Sequence, residues 1–172
     1  MLKPREDWLG VDDTFMSIAL LVAMRSKDPN TQVGACLIDK DNRVIGTGYN
    51  GFPRDISSYD LSWDRCACKP ENTKYLYIGH AEENAIDNCD RTRIHNSKLY
   101  VTLFPCNKCA IRIIQNKIQE VIYLSDKYHN TPECIASRKM FKLSKVKLRK
   151  FKSNVDTILT KLYDGTTYIF EK

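Results

Sequence analysis

His80, Cys106 and Cys109 are the residues of this chain best suited to hold a metal, and Glu82 is placed to work beside them. One imidazole and two thiolates can bind zinc while leaving its fourth tetrahedral position open. An open position distinguishes a catalytic zinc from a structural one. Water in that position gives up a proton readily, its pKa falling to about 7 from about 15.7 in bulk. Two thiolates would offset the charge of the ion, and His80 would add none. Glu82 lies two residues past His80, close enough to exchange protons with such a water without being spent as a ligand. A closed, structural site would instead need a fourth ligand, Cys66 or Cys68. Cys66-Ala67-Cys68 is too tightly spaced for an ordinary C-x2-C knuckle, and a structural site leaves Glu82 without a task.

The elements that must position these residues are legible from apolar spacing. Thr14 to Lys27 carries Phe15, Ile18, Ala19, Leu21, Val22 and Met24 at helical intervals, with Asp12 or Asp13 as its cap and Asp28-Pro29-Asn30 as its end. Val33 to Ile38 reads as a buried strand, Asp39 to Asn42 as a turn, and Arg43 to Tyr49 as the returning strand of a hairpin. Asn50 to Gly79 shows little periodicity, and a stretch of that length implies a functional or partner-binding insertion. His80 to Cys89 reads as a helix, Lys98 to Leu103 as a strand, and Cys106 to Asn116 as a helix opened by Pro105. Glu120 to Leu124 is a strand, Glu133 to Phe141 a helix and Val146 to Phe151 a strand; Asp156 to Phe170 fits either type. Strands alternating with helices imply an α/β layered domain with a mixed sheet. Both halves of the metal set fall at helix starts, whose field favours the thiolate forms of Cys106 and Cys109.

Bulk composition sets the limits. The chain has 172 residues, 42% hydrophobic and 28% charged, with no repeat or low-complexity linker, which fits one domain with its core at about 12–152. No secretory h-region opens it, and no apolar run reaches membrane-spanning length, so a soluble, cytoplasmic protein is expected. Seven cysteines, an odd number without an export signal, point to a reducing compartment. Cys36, inside a strand, reads as a small buried apolar residue. The net charge of +6 owes much to Lys139, Lys142, Lys145, Lys147, Arg149, Lys150 and Lys152. These form either a solvated face or a surface that attracts anions.

H-x-E followed by P-C-x-x-C is the established signature of zinc-dependent nucleobase deaminases, and the chain resembles that superfamily. In that chemistry Glu82 takes a proton from the water and hands it to the ring nitrogen beside the attacked carbon. It later protonates the leaving amino group, and ammonia departs. Further stretches resemble the deoxycytidylate (dCMP) deaminase family in particular: Ser26 to Asn30, Gln32 to Ala35, Gly48-Tyr49-Asn50-Gly51, His80 to Ile86, Phe104 to Cys109 and Ser125-Asp126-Lys127-Tyr128-His129. The likeness runs in order from about Phe15 to about Phe151.

The resemblance implies a three-layer α/β/α cytidine-deaminase-like fold around a mixed sheet of about five strands. It implies conversion of dCMP to dUMP, supplying dTTP synthesis, with one catalytic Zn2+ per chain. It also implies a homohexamer activated by dCTP with Mg2+ and inhibited by dTTP, with no nucleic-acid or membrane partner. Carried over by position, Asn50 would bind the nucleoside, the Ala81 backbone amide would meet the base, and Lys127 and Tyr128 would serve the phosphate and sugar. Asn50 reads equally as a turn residue in left-handed backbone between glycines. Lys27, Asp28, Asn30, Gly48, Gly51 and Arg91 match the surroundings of the family's effector. Cys66 and Cys68 could hold a second zinc, as in some phage relatives. Two competing readings remain: a deaminase of tRNA adenosine or of DNA or RNA cytidine, using the basic stretch, and a catalytically silent, zinc-stabilised nucleotide sensor. The basic stretch lacks the interleaved aromatics of a single-strand platform, and the intact Glu82 argues against a silent protein.

Overall fold

The computed structural model describes residues 2–4, 6 and 8–152, so the ambiguous segment Asp156 to Phe170 lies outside the described residues. Four helices and five strands follow in the order α1 (Val11–Ala23), β1 (Gly34–Ile38), β2 (Val44–Tyr49), α2 (Ala81–Asp87), β3 (Lys98–Leu103), α3 (Asn107–Gln115), β4 (Glu120–Ser125), α4 (Pro132–Ser144) and β5 (Lys147–Lys150). The sheet order is β2-β1-β3-β4-β5. β1 is antiparallel to both β2 and β3, whereas β3, β4 and β5 run parallel. The α/β layering and the mixed five-strand sheet expected from the sequence are both present.

Strand periodicity sorts the side chains into two layers. Ala35 and Leu37, Leu99 and Val101, and Val121 and Tyr123 face one side of the sheet, packing with Ala81, Ala85, Ile86, Ala110, Ile113 and Phe141 from α2, α3 and α4. The alternate residues Cys36, Ile38, Tyr100 and Ile122 face the other side and meet Phe15, Met16 and Ala19 of α1. Cys36 is fully buried, as a small apolar residue in a strand should be.

α1 begins and ends earlier than its apolar spacing suggests. Gly10 occupies the cap position and Asp12 and Asp13 fall inside the first turn. Asp12 is drawn into the sheet instead, accepting hydrogen bonds from the Tyr100 hydroxyl at 2.7 Å and from Arg149 at 2.5 and 3.0 Å. The helix stops at Ala23 because the chain beyond it is claimed by other partners. Ser26 Oγ donates to the Asn50 carbonyl, and Asp28 accepts from the Asn30 and Thr31 amides. α4 is longer than expected. Thr131 caps its start and Pro132 opens its first turn, while Lys145 ends it in left-handed backbone at φ 61°.

α2 lies unusually close to β2. A Cβ on Gly48 would stand 2.3 Å from both the Ala81 carbonyl oxygen and the Ala85 nitrogen; one on Gly46 would stand 2.5 Å from the Ala85 carbonyl oxygen. Glycine at these two positions lets the helix that carries Glu82 sit directly on the sheet. The 50–79 segment contains two single 3-10 turns, Pro70–Asn72 and Lys74–Leu76. Its ends are tied by reciprocal backbone hydrogen bonds between Gly51 and Gly79 at 3.1 and 2.8 Å.

Candidate active site

The parallel strands β3 and β4 deliver their carboxyl ends to one rim of the sheet, where α/β proteins build sites. β3 runs into Phe104-Pro105-Cys106, so Cys106 caps α3 and Cys109 sits in its first turn. Phe104 fixes that approach. Its ring packs edge-on against Tyr123 at 4.9 Å and Phe141 at 6.3 Å, and the Arg138 guanidinium lies over it at 4.1 Å, held from behind by Asp126. From the other side, His80 caps α2. Glu83 accepts a hydrogen bond from the His80 backbone amide at 3.1 Å, and the Asn84 amide group donates to the Tyr49 carbonyl at 2.7 Å. Two helix starts from different parts of the chain are thereby brought face to face.

His80 Nδ1 lies 3.3 Å from Cys109 Sγ and 3.4 Å from Cys106 Sγ. Donors at ordinary zinc bond lengths in a tetrahedral arrangement stand about 3.5 Å apart, so the three side chains fit zinc as they stand. They form the only such group of metal-binding donors among the described residues, whereas Cys66 and Cys68 are exposed and not part of it. A fourth ligand from the 66–68 pair is thus not found, and the group stays open on one side.

Protons are already unequally shared among the donors. A hydrogen bond with Cys109, then the pairing with His80, pulls the Cys106 thiol down to about 4. The same contacts push His80 up to about 9 and Cys109 well above the usual thiol range. Without a cation to offset them, neighbouring thiols 3–4 Å from a shared partner do not both ionise. A divalent ion would displace the shared protons. Glu82 stands beside these donors, only 4% exposed, and burial pushes its carboxyl up to about 7 against the opposing influence of His80. That value suits a group that must both take and give a proton near neutral pH.

A cavity of about 560 Å³ opens over Glu82 and Ala81, lined by His80 and Cys106 at one end and by Tyr75, Arg65 and Tyr128 elsewhere on its wall. Its size suits a small ligand of nucleotide dimensions. A family model described as the zinc-binding region of cytidine and deoxycytidylate deaminases matches residues 10–125. The chain belongs to this family. Deoxycytidylate deaminases of Pongo abelii and Homo sapiens are each 49% identical to it over 149 residues, which is 87% of this chain and 84% of theirs. In fold it is similar to the dCMP deaminase of cyanophage S-TIM5 solved in complex with dCMP and dUMP. The TM-score is 0.64 at 22% identity, over 87% of this chain and 100% of that one. The family region spans every element that carries the donors and Glu82; Lys127, Tyr128, α4 and β5 follow it.

The structure gathers His80, Ala81, Glu82, Cys106, Asn50, Tyr128, Asp28 and Asn30 around one pocket. Asn50 is not the left-handed turn residue that its flanking glycines suggest, since its φ is not positive. Its side chain is engaged at both ends. Oδ1 accepts from the Val33 amide at 2.8 Å; Nδ2 donates to the Thr31 carbonyl at 3.0 Å and to Asp28 at 3.2 Å. Lys127 stands just outside the lining, exposed, its ammonium 3.2 Å from Thr31 Oγ1 and 5.0 Å from the Tyr128 ring. Thr31 first, then the nearby charges of Lys127 and Arg65, hold the Tyr128 phenol below its usual range.

The six residues matched to effector surroundings separate. Lys27, Asn30 and Arg91 are exposed, and Arg91 pairs with Asp87 at 3.3 Å. Gly48 is packed under α2, and Gly51 pairs with Gly79. Asp28 is buried, and its Oδ2 meets the buried Lys74 ammonium at 2.5 Å. Lys74 is a residue the sequence reading missed. Nothing in its surroundings as a string marks it, because its partner lies 46 positions away. The expectation that the 50–79 segment is functional was the available signal, and the residues it offered there, Asn50, Gly51, Cys66 and Cys68, did not include Lys74. Six lysines of the basic stretch, 139, 142, 145, 147, 150 and 152, are exposed and line no part of the pocket, while Arg149 pairs with Asp12 and Glu120.

Proposed function

We propose that this chain hydrolytically deaminates dCMP to dUMP with release of ammonia. The observation that carries this reading is a buried carboxyl, Glu82, beside an open His-Cys-Cys donor group at the end of a nucleotide-sized pocket. Membership of the family and the 49% identity to proteins named deoxycytidylate deaminase support it.

His80, Cys106 and Cys109 would hold a zinc ion, which would supply the Lewis acidity that makes water a nucleophile at neutral pH. Glu82 does the proton work. It accepts a proton from the attacking water, delivers it to the ring nitrogen next to the attacked carbon, and later returns one to the departing amino group. Burial raises this carboxyl to about 7, in the range where a group can both take and give a proton near neutral pH. Ala81 is the first residue of α2, where an amide has no acceptor within the helix and is available to the base. Asn50 shapes the nucleoside wall while its own polar groups stay bonded to the chain, and Lys127 offers a cation to the 5′-phosphate.

The same reading includes regulation in a cytoplasmic homohexamer, with activation by dCTP and Mg2+ and inhibition by dTTP. The exposed Lys27, Asn30 and Arg91 are the candidates for contact with an effector. The test is ammonia release from dCMP, CMP, deoxycytidine and dCTP side by side, each with and without dCTP-Mg2+ or dTTP. Turnover centred on dCMP, raised by dCTP and lowered by dTTP, is expected. No turnover of any mononucleotide by zinc-loaded protein would overturn the reading and favour a nucleic-acid substrate.

A further inference from the structure

Resting on the dCMP reading, we infer that Arg65, carried by the 50–79 segment, is a second phosphate-holding cation and sets the preference for a nucleotide over a nucleoside. Four cations line or border the pocket: Arg65, Lys74, Lys108 and Lys127. Lys74 is buried and spent on Asp28 at 2.5 Å. Lys108 lies between the two metal-binding cysteines in the first turn of α3, at the end of the pocket where the base must react. Arg65 and Lys127 remain, and both act on Tyr128.

The geometry of Arg65 suits an anion. Its Nε donates to the Tyr75 hydroxyl at 3.0 Å, which orients the guanidinium and leaves both terminal nitrogens without a protein partner among the described residues. Terminal nitrogens in that fork match two phosphate oxygens, something a single lysine ammonium cannot do. Tyr75 also lines the pocket, so the arginine is steered by a neighbour on the same wall. The acidic groups of the pocket are placed elsewhere: Asp28 on Lys74, Glu82 beside the donors and Glu133 in the first turn of α4. Two cations from separate parts of the chain, Arg65 on the pocket wall and Lys127 5.0 Å from the Tyr128 ring, thus stand at the pocket with no carboxylate bonded to either among the described residues.

The experiment compares kcat/KM for dCMP and for deoxycytidine in zinc-loaded, full-length wild type, Arg65→Ala, Arg65→Lys and Lys108→Ala, with zinc content measured for each. Arg65→Ala is expected to lower the dCMP value about 10- to 100-fold while the deoxycytidine value moves less than about twofold. Arg65→Lys should recover part of the loss, because charge returns without the fork. Equal losses on both substrates would assign Arg65 a structural role and overturn the inference. So would an unchanged Arg65→Ala, or a phosphate-selective loss in Lys108→Ala in its place. A wild type without preference for dCMP would instead fail the parent reading, a result distinct from all of these.

Discussion

The donor end of the pocket and the wall formed by the 50–79 segment are held by different forces. At the donor end, His80, Glu82, Cys106 and Cys109 ride on regular elements, each fixed by the sheet beneath it and by helix ends that leave little freedom. The opposite wall has almost no regular structure. It is fastened by a backbone bridge at its neck, by the Asp28–Lys74 pair, by Trp63 stacked on Phe52 at 4.2 Å, and by the Lys74 amide donating to the Asp64 carbonyl at 3.1 Å. The candidate catalytic residues are placed on regular elements, and the 50–79 wall of the pocket is left to side-chain and loop contacts.

Substitutions at the two ends should therefore fail in different ways. The largest effect belongs to Glu82→Gln, which keeps the shape and removes the proton shuttle. We expect kcat to fall at least about 1,000-fold with zinc content and melting temperature little changed. Full activity in a zinc-loaded variant, measured by ammonia release, would refute the assignment. Gly48→Ala attacks the same end through the backbone. Its methyl group would meet the Ala81 carbonyl and push α2 away, so activity should drop about 100-fold with a stability loss of about 1–3 kcal/mol by urea unfolding.

At the other wall, Lys74→Met should cost about 3–5 kcal/mol, because Asp28 would be left buried without its partner. The double variant Asp28→Asn/Lys74→Met should regain part of that loss in the same unfolding assay; additive losses would deny that the pair acts as a unit. The pH dependence of this contact has a definite sign. Burial raises the Asp28 pKa, but the Lys74 ammonium and the Asn30 and Thr31 amides outweigh it, and the net value lies below the ordinary one. A carboxylate with a lowered native pKa stabilises fully above its unfolded value of about 3.9, and that stability is lost as pH falls through the lowered native value. Wild type should accordingly lose more stability than Asp28→Asn as the pH falls below about 4. The smallest effect is expected at Lys127, which is exposed. Lys127→Ala should narrow the dCMP-over-deoxycytidine preference about tenfold, read as the ratio of the two kcat/KM values.

How much of this was legible beforehand follows the same division. The strands were readable because each alternates between two buried faces, and the helices of the site because Pro105 and the apolar spacing mark them. α1 was misjudged at both ends, since Asp12 and Ser26 answer to partners far along the chain rather than to helix capping. Asn50 was read as a nucleoside ligand or as a turn. Its role in joining the Val33 amide, Thr31 and Asp28 depends on loops that meet only once the sheet is formed.

By itself the sequence marked His80-x-Glu82 and Cys106-x-x-Cys109 as a candidate donor set with a carboxyl beside it, and implied an α/β layered domain, because each motif is local and the strands and helices follow repeating periods. Tertiary structure alone decided that His80, Cys106 and Cys109 meet, that Asp28 is spent on Lys74, and that Arg65 reaches the pocket wall. These depend on which charges become neighbours after folding and on how much water is left between them, and no local pattern of residues encodes either quantity.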